Sequence, residues 1–164
     1  MSARAVRPAA ASRGRARRAG AAGPGRNGRV RRWTGARLMA EAEIARKTAY
    51  APYSRFHVGA ALLTRNGRVF HGCNVENASF GLSACAERTA VWKAVSEGVR
   101  DFVAIAVTAG EAGGASPCGS CRQVMHEFAP RMLVYWRDGS GRIVRRRLGA
   151  LLERAFDFKR KESK

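Results

Sequence analysis

Two β-rich runs, F-H-V-G-A-A-L-L-T and R-V-F-H-G-C-N-V, flank Arg65-Asn66-Gly67. An Asn-Gly pair between such runs suits the positive φ of a tight turn, so the segment predicts an antiparallel hairpin. Upstream, Leu38, Met39, Ala42, Ala45 and Ala49 fall at helical spacings and Pro52 closes the segment. An opening helix is predicted there, from about Trp33 to near Tyr50. C-A-E-R-T-A-V-W-K-A-V-S-E-G has no internal Gly or Pro, carries apolar residues at helical spacing and places Gly98 where a C-terminal cap belongs. That puts Cys85 at a helix start. F-V-A-I-A-V-T-A is nearly continuous in apolar residues, as a strand buried on both faces requires, and is expected to be central in the sheet.

Pro117-Cys118 opens a further helical stretch through Phe128, with Pro suited to a first turn whose N–H groups are unpaired. M-L-V-Y-W and R-I-V-R-R-R-L predict two strands around Asp138-Gly139-Ser140-Gly141, and G-A-L-L-E-R-A-F predicts a short closing helix. The order α-β-β-α-β-α-β-β-α favours an α/β fold, a three-layer α-β-α sandwich around a mixed five-stranded sheet. No internal repeat interrupts it.

The chain of 164 residues suffices for one domain with a core and is too short for two ordinary enzyme domains. Its formal charge of +19 suggests a polyanionic partner, but the distribution changes that picture. Residues 1–38 hold eleven Arg and no acid, leaving +8 for the rest. The first 35 residues, rich in Ala, Arg and Gly, have too little apolar bulk to offset the entropy of ordering. They are expected to be a disordered basic extension, with the folded domain over residues 36–164. Three explanations for the extension stand side by side: a start assigned too early, with Met39 the true start; an Arg-rich transit peptide; or a basic nucleic-acid-binding arm. No run approaches the apolar length of a membrane span, and the N-terminus lacks the apolar segment of a secretory signal. The expected location is cytoplasmic, or an organelle if the extension is a transit peptide. Four cysteines, three of them inside two short motifs, point to thiolates in a reducing compartment rather than to disulfides.

Those motifs are the candidate chemistry. Three protein ligands leave one corner of a tetrahedral zinc open to water, which distinguishes catalytic from structural sites. Cys118 and Cys121 are three apart on a helix and share a face, while Cys85 opens another helix. Helix N-termini lower thiol pKa values, so the two starts together would build a thiolate site. Three thiolates over-neutralise a divalent ion, and Arg88, or secondarily Arg122, is the candidate compensating charge. Glu87, two residues after Cys85, is placed to move protons as a general acid/base, the arrangement of zinc deaminases: a ligand-x-Glu and a P-C-x-x-C. Competing readings exist: half of a structural zinc knuckle, a redox pair, and for Glu87 a favourable acid in a first helical turn. Cys73, in a predicted strand, reads as a small buried thiol.

A-Y-A-P-Y-S-R-F-H-V-G-A-A-L-L, G-C-N-V-E-N-A-S-F-G, C-A-E-R-T-A and S-P-C-G-S-C-R-Q-V, in this order, resemble the short-chain, three-cysteine cytidine deaminase family from about Ala45 to Phe156. The resemblance implies hydrolysis of cytidine and 2′-deoxycytidine to the uridines with loss of ammonia, as in pyrimidine salvage, with one catalytic Zn2+ per subunit and Glu87 as the proton carrier. It implies that Asn74 and Glu76 hold the ribose 3′-hydroxyl, that Phe56 lies near the base, that Ala86 contacts substrate, and that Phe156 enters a neighbour's pocket. It also implies a homotetramer acting on a small nucleoside, with nucleic acid not required. Two departures stand out: Phe80 where many relatives carry Tyr, and a closing L-L-E-R-A-F without the family's common Pro. Rival readings are a blasticidin S-type deaminase, a polynucleotide cytosine deaminase, which more often uses H-x-E, and a basic nucleic-acid-binding protein with structural zinc.

Overall fold

In the computed structural model, which describes residues 33–110 and 114–158, the Asn66-Gly67 hairpin joins β1 (Gly59–Thr64) to β2 (Val69–Cys73), with Gly67 at φ 85°. The expected basic extension lies, as far as residue 32, outside the described residues. β3 (Phe102–Thr108) pairs antiparallel with the other edge of β1. β4 (Leu133–Arg137) runs parallel to β3, and β5 (Ile143–Arg147) closes the sheet antiparallel to β4. The order is β2-β1-β3-β4-β5, a mixed five-stranded sheet with β3 in the centre, as its apolar run requires.

Among the described residues, three α-helices cover the two faces. α1 (Gly35–Arg46) is capped by Thr34, whose hydroxyl accepts from the Arg37 N–H at 3.1 Å. Its Leu38, Met39 and Ala42 pack on Ala61, Leu63, Ala104 and Ala106, the side chains of one sheet face. α2 (Ala86–Ser96) and α3 (Gly119–Phe128) cover the other, where Ala60, Leu62, Ile105 and Val107 meet Ala90, Val91, Cys121 and Met125. Strand alternation thus splits the interior into two apolar layers, which is the α-β-α sandwich. Gly72 sets the depth of α2: a Cβ there would collide with backbone atoms of Ala86 and Ala90. Gly98, at φ 78°, ends that helix as expected; its N–H donates to the Val95 carbonyl and that of Val99 to Ala94, both at 2.9 Å. No described helix is long and apolar enough to cross a membrane.

Three sequence expectations need correction. The opening helix stops at Arg46, not near Tyr50, because Tyr50 is drawn into backbone pairing with the far strand end: its N–H donates to Asn74 at 3.0 Å and its carbonyl accepts from Glu76 at 2.8 Å. The closing helix is a single 3-10 turn at Leu148–Ala150. Arg122 takes the Leu151 carbonyl at 2.7 Å and the Gln123 side chain bonds both backbone groups of Phe156, so tertiary partners claim the groups a helix needs. Pro117 precedes the N-cap Cys118 rather than occupying the first turn.

The register brings the site together. Gly59 at the start of β1 lies opposite both Cys73, at the end of β2, and Thr108, at the end of β3. Segments 56–58, 74–76 and the exit of β3 therefore leave the sheet at one end, beside the N-termini of α2 and α3.

Candidate active site

Cys85 and Cys118 are the N-cap residues of α2 and α3, and neither side chain caps its helix. Ser, Thr, Asp and Asn stabilise that position and a thiol does not, so the choice sacrifices local stability for two sulfurs beside exposed helix N–H groups. Cys121, one turn into α3, is fully buried, whereas Cys118 is exposed. The three sulfurs lie within 4.8 Å of one another, the one such group of His, Cys, Asp or Glu among the described residues. In the metal-free protein they share protons. A hydrogen bond from Cys121, assisted by Arg88, pulls the Cys85 thiol down to about 5, while that same bond and burial push Cys121 up. A cluster of three soft sulfur donors within 4.8 Å of one another fits zinc.

Glu87 follows on the first turn of α2 and is 5% exposed. Burial, reinforced by the negative charge of Cys85, raises its carboxyl above the ordinary range. Arg88 donates to the Ser83 carbonyl at 2.8 Å and to Cys85 Sγ at 3.6 Å, and its Nε is buried without a partner. A guanidinium held against a sulfur is the geometry expected of a compensating charge. Arg122 is elsewhere engaged, on the carbonyls of Pro117 and Leu151 at 2.7 Å.

A cavity of about 370 Å³ opens over these groups. Its walls include Cys85, Ala86, Glu87 and Cys118, and also Phe56, Asn74 and Glu76, so seven residues singled out from sequence meet in one pocket. Asn74 accepts from the Val58 N–H and donates to the Phe56 carbonyl, each at 2.8 Å, which fixes the orientation of its amide. Glu76 accepts from the N–H groups of Tyr53 at 3.0 Å and Ser54 at 3.2 Å, and from the Ser54 hydroxyl. Both side chains thus shape the loop that carries Phe56. The Ser54 hydroxyl in turn accepts from the Phe56 N–H at 3.0 Å, and Arg55 between them has φ 56°. Sequence reading missed Ser54; Pro52 and the polar Y-S-R that follows it were the available signal for a constrained turn.

Other expected residues fall outside the pocket. Phe156 is 72% exposed, held by its backbone to Gln123. Cys73, expected to be buried, is half-buried, because it ends β2 and donates to the Thr48 carbonyl at 3.3 Å; it is not part of the sulfur cluster. Phe80 is exposed and stacks edge-on against Tyr53, with ring centroids 5.9 Å apart.

Residues 34–137 match the sequence pattern described as "Cytidine and deoxycytidylate deaminase zinc-binding region". A cytidine deaminase of Sporosarcina psychrophila is 51% identical over 121 residues, 73% of this chain and 89% of the relative. A cytidine deaminase of Halalkalibacterium halodurans is 54% identical over 120 residues, covering 73% of this chain and 91% of the relative. Among solved structures, cytidine deaminase from Burkholderia pseudomallei superposes with TM-score 0.72 at 50% identity, covering 76% of this chain and all of that one. With the cysteine cluster, the buried glutamate and the pocket in their places, the chain belongs to the zinc-dependent cytidine and deoxycytidylate deaminase family.

Proposed function

We propose that the chain hydrolyses cytidine and 2′-deoxycytidine to uridine and 2′-deoxyuridine with release of ammonia, in pyrimidine salvage. The observation that carries the reading is the meeting of Cys85, Cys118 and buried Glu87 on the wall of a nucleoside-sized cavity, with the buried Cys121 sulfur within 4.8 Å of the other two. The three thiolates hold the zinc, which supplies a Lewis acid for water activation when bound. Glu87, its proton affinity raised by burial, carries one proton from the attacking water to N3 of the pyrimidine and a second from the hydroxyl added at C4 to the amino group, which leaves as ammonia. Arg88 offsets the excess thiolate charge through its contact with Cys85.

Asn74 and Glu76 recognise the ribose 3′-hydroxyl. After their bonds to the loop, Asn74 retains one amide N–H and Glu76 one of its four acceptor sites, a donor and an acceptor suited to a hydroxyl. Phe56 packs beside the base, and Ala86 completes the wall below it. The exposure of Phe80, Leu82 and Phe156, at 72 to 74%, supports an assembly that covers them, and a homotetramer in which Phe156 enters a neighbouring pocket accounts for its distance from its own. Thiolate ligands suit a reducing, cytoplasmic compartment. A spectrophotometric comparison of cytidine with blasticidin S tests the substrate: faster turnover of blasticidin S sinks the assignment.

A further inference from the structure

Ser54 is exposed and stands outside the cavity wall, yet its hydroxyl joins two residues that line the cavity. It accepts from the Phe56 N–H at 3.0 Å and is bonded to Glu76 Oε1. A backbone N–H can only donate and a carboxylate can only accept, so the single hydroxyl proton is committed to Glu76. The chain therefore runs in one direction, from the Phe56 N–H through Ser54 to Glu76, and each bond polarises the next. The same hydroxyl is the main reason that the Glu76 carboxyl sits below its ordinary pKa, which keeps it an acceptor at neutral pH. The turn that allows the chain has Arg55 in the left-handed region, at φ 56°.

The two oxygens of Glu76 are not equivalent. Oε2 accepts the N–H groups of Tyr53, at 3.0 Å, and Ser54, at 3.2 Å, which occupy both of its lone pairs. Oε1 takes the Ser54 hydroxyl, so the open acceptor site of the carboxylate lies on the oxygen that Ser54 holds. Phe56 has a separate anchor, because its carbonyl accepts from Asn74 at 2.8 Å. Removing the hydroxyl thus frees Glu76 Oε1 more than it frees the Phe56 loop.

We infer that Ser54 is a positioning residue for sugar recognition: it aims the open acceptor of Glu76 Oε1 at the 3′-hydroxyl and so sets the preference for nucleosides that carry one. This rests on the assignment of Glu76 to the 3′-hydroxyl under the proposed function. Without the Ser54 hydroxyl the carboxylate keeps its two backbone bonds but can tilt about them, and the substrate hydroxyl meets a less fixed partner. The bond is made before and during reaction alike, so its loss should raise KM and leave kcat nearly unchanged.

The test compares kcat/KM for 2′-deoxycytidine and 2′,3′-dideoxycytidine, which differ only in the 3′-hydroxyl, with the full zinc-loaded chain. Their ratio cancels any change in folding, zinc content or active fraction common to both. Ser54→Ala should lower the ratio about 10-fold, through KM for 2′-deoxycytidine, and Ser54→Thr, which keeps the hydroxyl, should restore most of it. In a Glu76→Ala background, Ser54→Ala should lower the ratio no further, because the hydroxyl acts through that carboxylate. A ratio that collapses in Glu76→Ala but is unchanged in Ser54→Ala would overturn the inference and leave the role of Glu76 standing. Additive losses in the double variant would also overturn it. A ratio untouched by Glu76→Ala would remove Glu76 from sugar recognition and the inference with it.

Discussion

Val75 and Ala84 exchange both backbone hydrogen bonds, at 3.0 and 2.9 Å, although eight residues lie between them. The exchange ties the segment carrying Asn74 and Glu76 to the residue just before Cys85. The residues proposed to recognise the substrate and to hold the metal therefore sit on one hydrogen-bonded scaffold and not on independent loops, which is the precondition for placing a reacting carbon within reach of Glu87.

Replacing that carboxyl tests its role. Glu87→Gln keeps shape and burial but cannot carry a proton, so zinc should stay near one per chain while kcat falls by about 10²–10⁴. Normal turnover in the variant would remove Glu87 from the chemistry.

The two cysteines of α3 should separate metal binding from folding. Both Cys118→Ala and Cys121→Ala should lose zinc on purification, read by elemental analysis. In the metal-free protein, Cys121→Ala should cost about 1 kcal/mol, because its sulfur is fully buried, and exposed Cys118 less than about 0.5 kcal/mol. Equal destabilisation by denaturant titration would contradict the burial argument.

Gly72 has no side chain because α2 leaves no room for one. Gly72→Ala would press on the backbone of Ala86 and Ala90, displacing the first turn that carries Glu87. A loss of about 1–3 kcal/mol in stability is expected, together with lower zinc occupancy. A variant with unaltered stability and metal content would show that the approach of α2 is not limiting.

Much of this was legible in the residues. Asn66-Gly67, the apolar run of β3, and the cysteines opening two helices each follow from local chemistry, and so do the sheet and the sulfur cluster. The two misplaced helix ends share one cause. Leu151 and Phe156 have helical neighbours in sequence, yet Arg122 and Gln123, about thirty residues earlier, bind their backbone groups. Tyr50 leaves its helix for Asn74 in the same way. The second occupation of Asn74 and Glu76, holding the loop of Phe56, depends on the β1–β2 register and has no mark in either residue.

On the opposite face of the sheet, Glu43 accepts from the buried Thr108 hydroxyl at 2.5 Å and from Arg46 Nε at 2.8 Å. Partial burial works against its charge, but these bonds prevail and hold the carboxyl below the usual range. A depressed carboxylate contributes stability above its unfolded pKa of about 4.3 and loses it as pH falls through the lower folded value. Glu43→Gln should therefore lower the melting temperature at neutral pH, and the gap from the parent should narrow below about pH 4.3. A gap that is constant or widens in acid would contradict this.

The central claim, that the sulfur cluster and Glu87 form a zinc-dependent nucleoside deaminase, is tested most directly by following cytidine deamination alongside zinc content in one preparation. The account predicts turnover proportional to zinc, loss of both on chelation, and recovery of both when zinc is restored. Cytidine turnover that persists in metal-free protein, or a fully zinc-loaded chain that leaves cytidine unchanged, would contradict it.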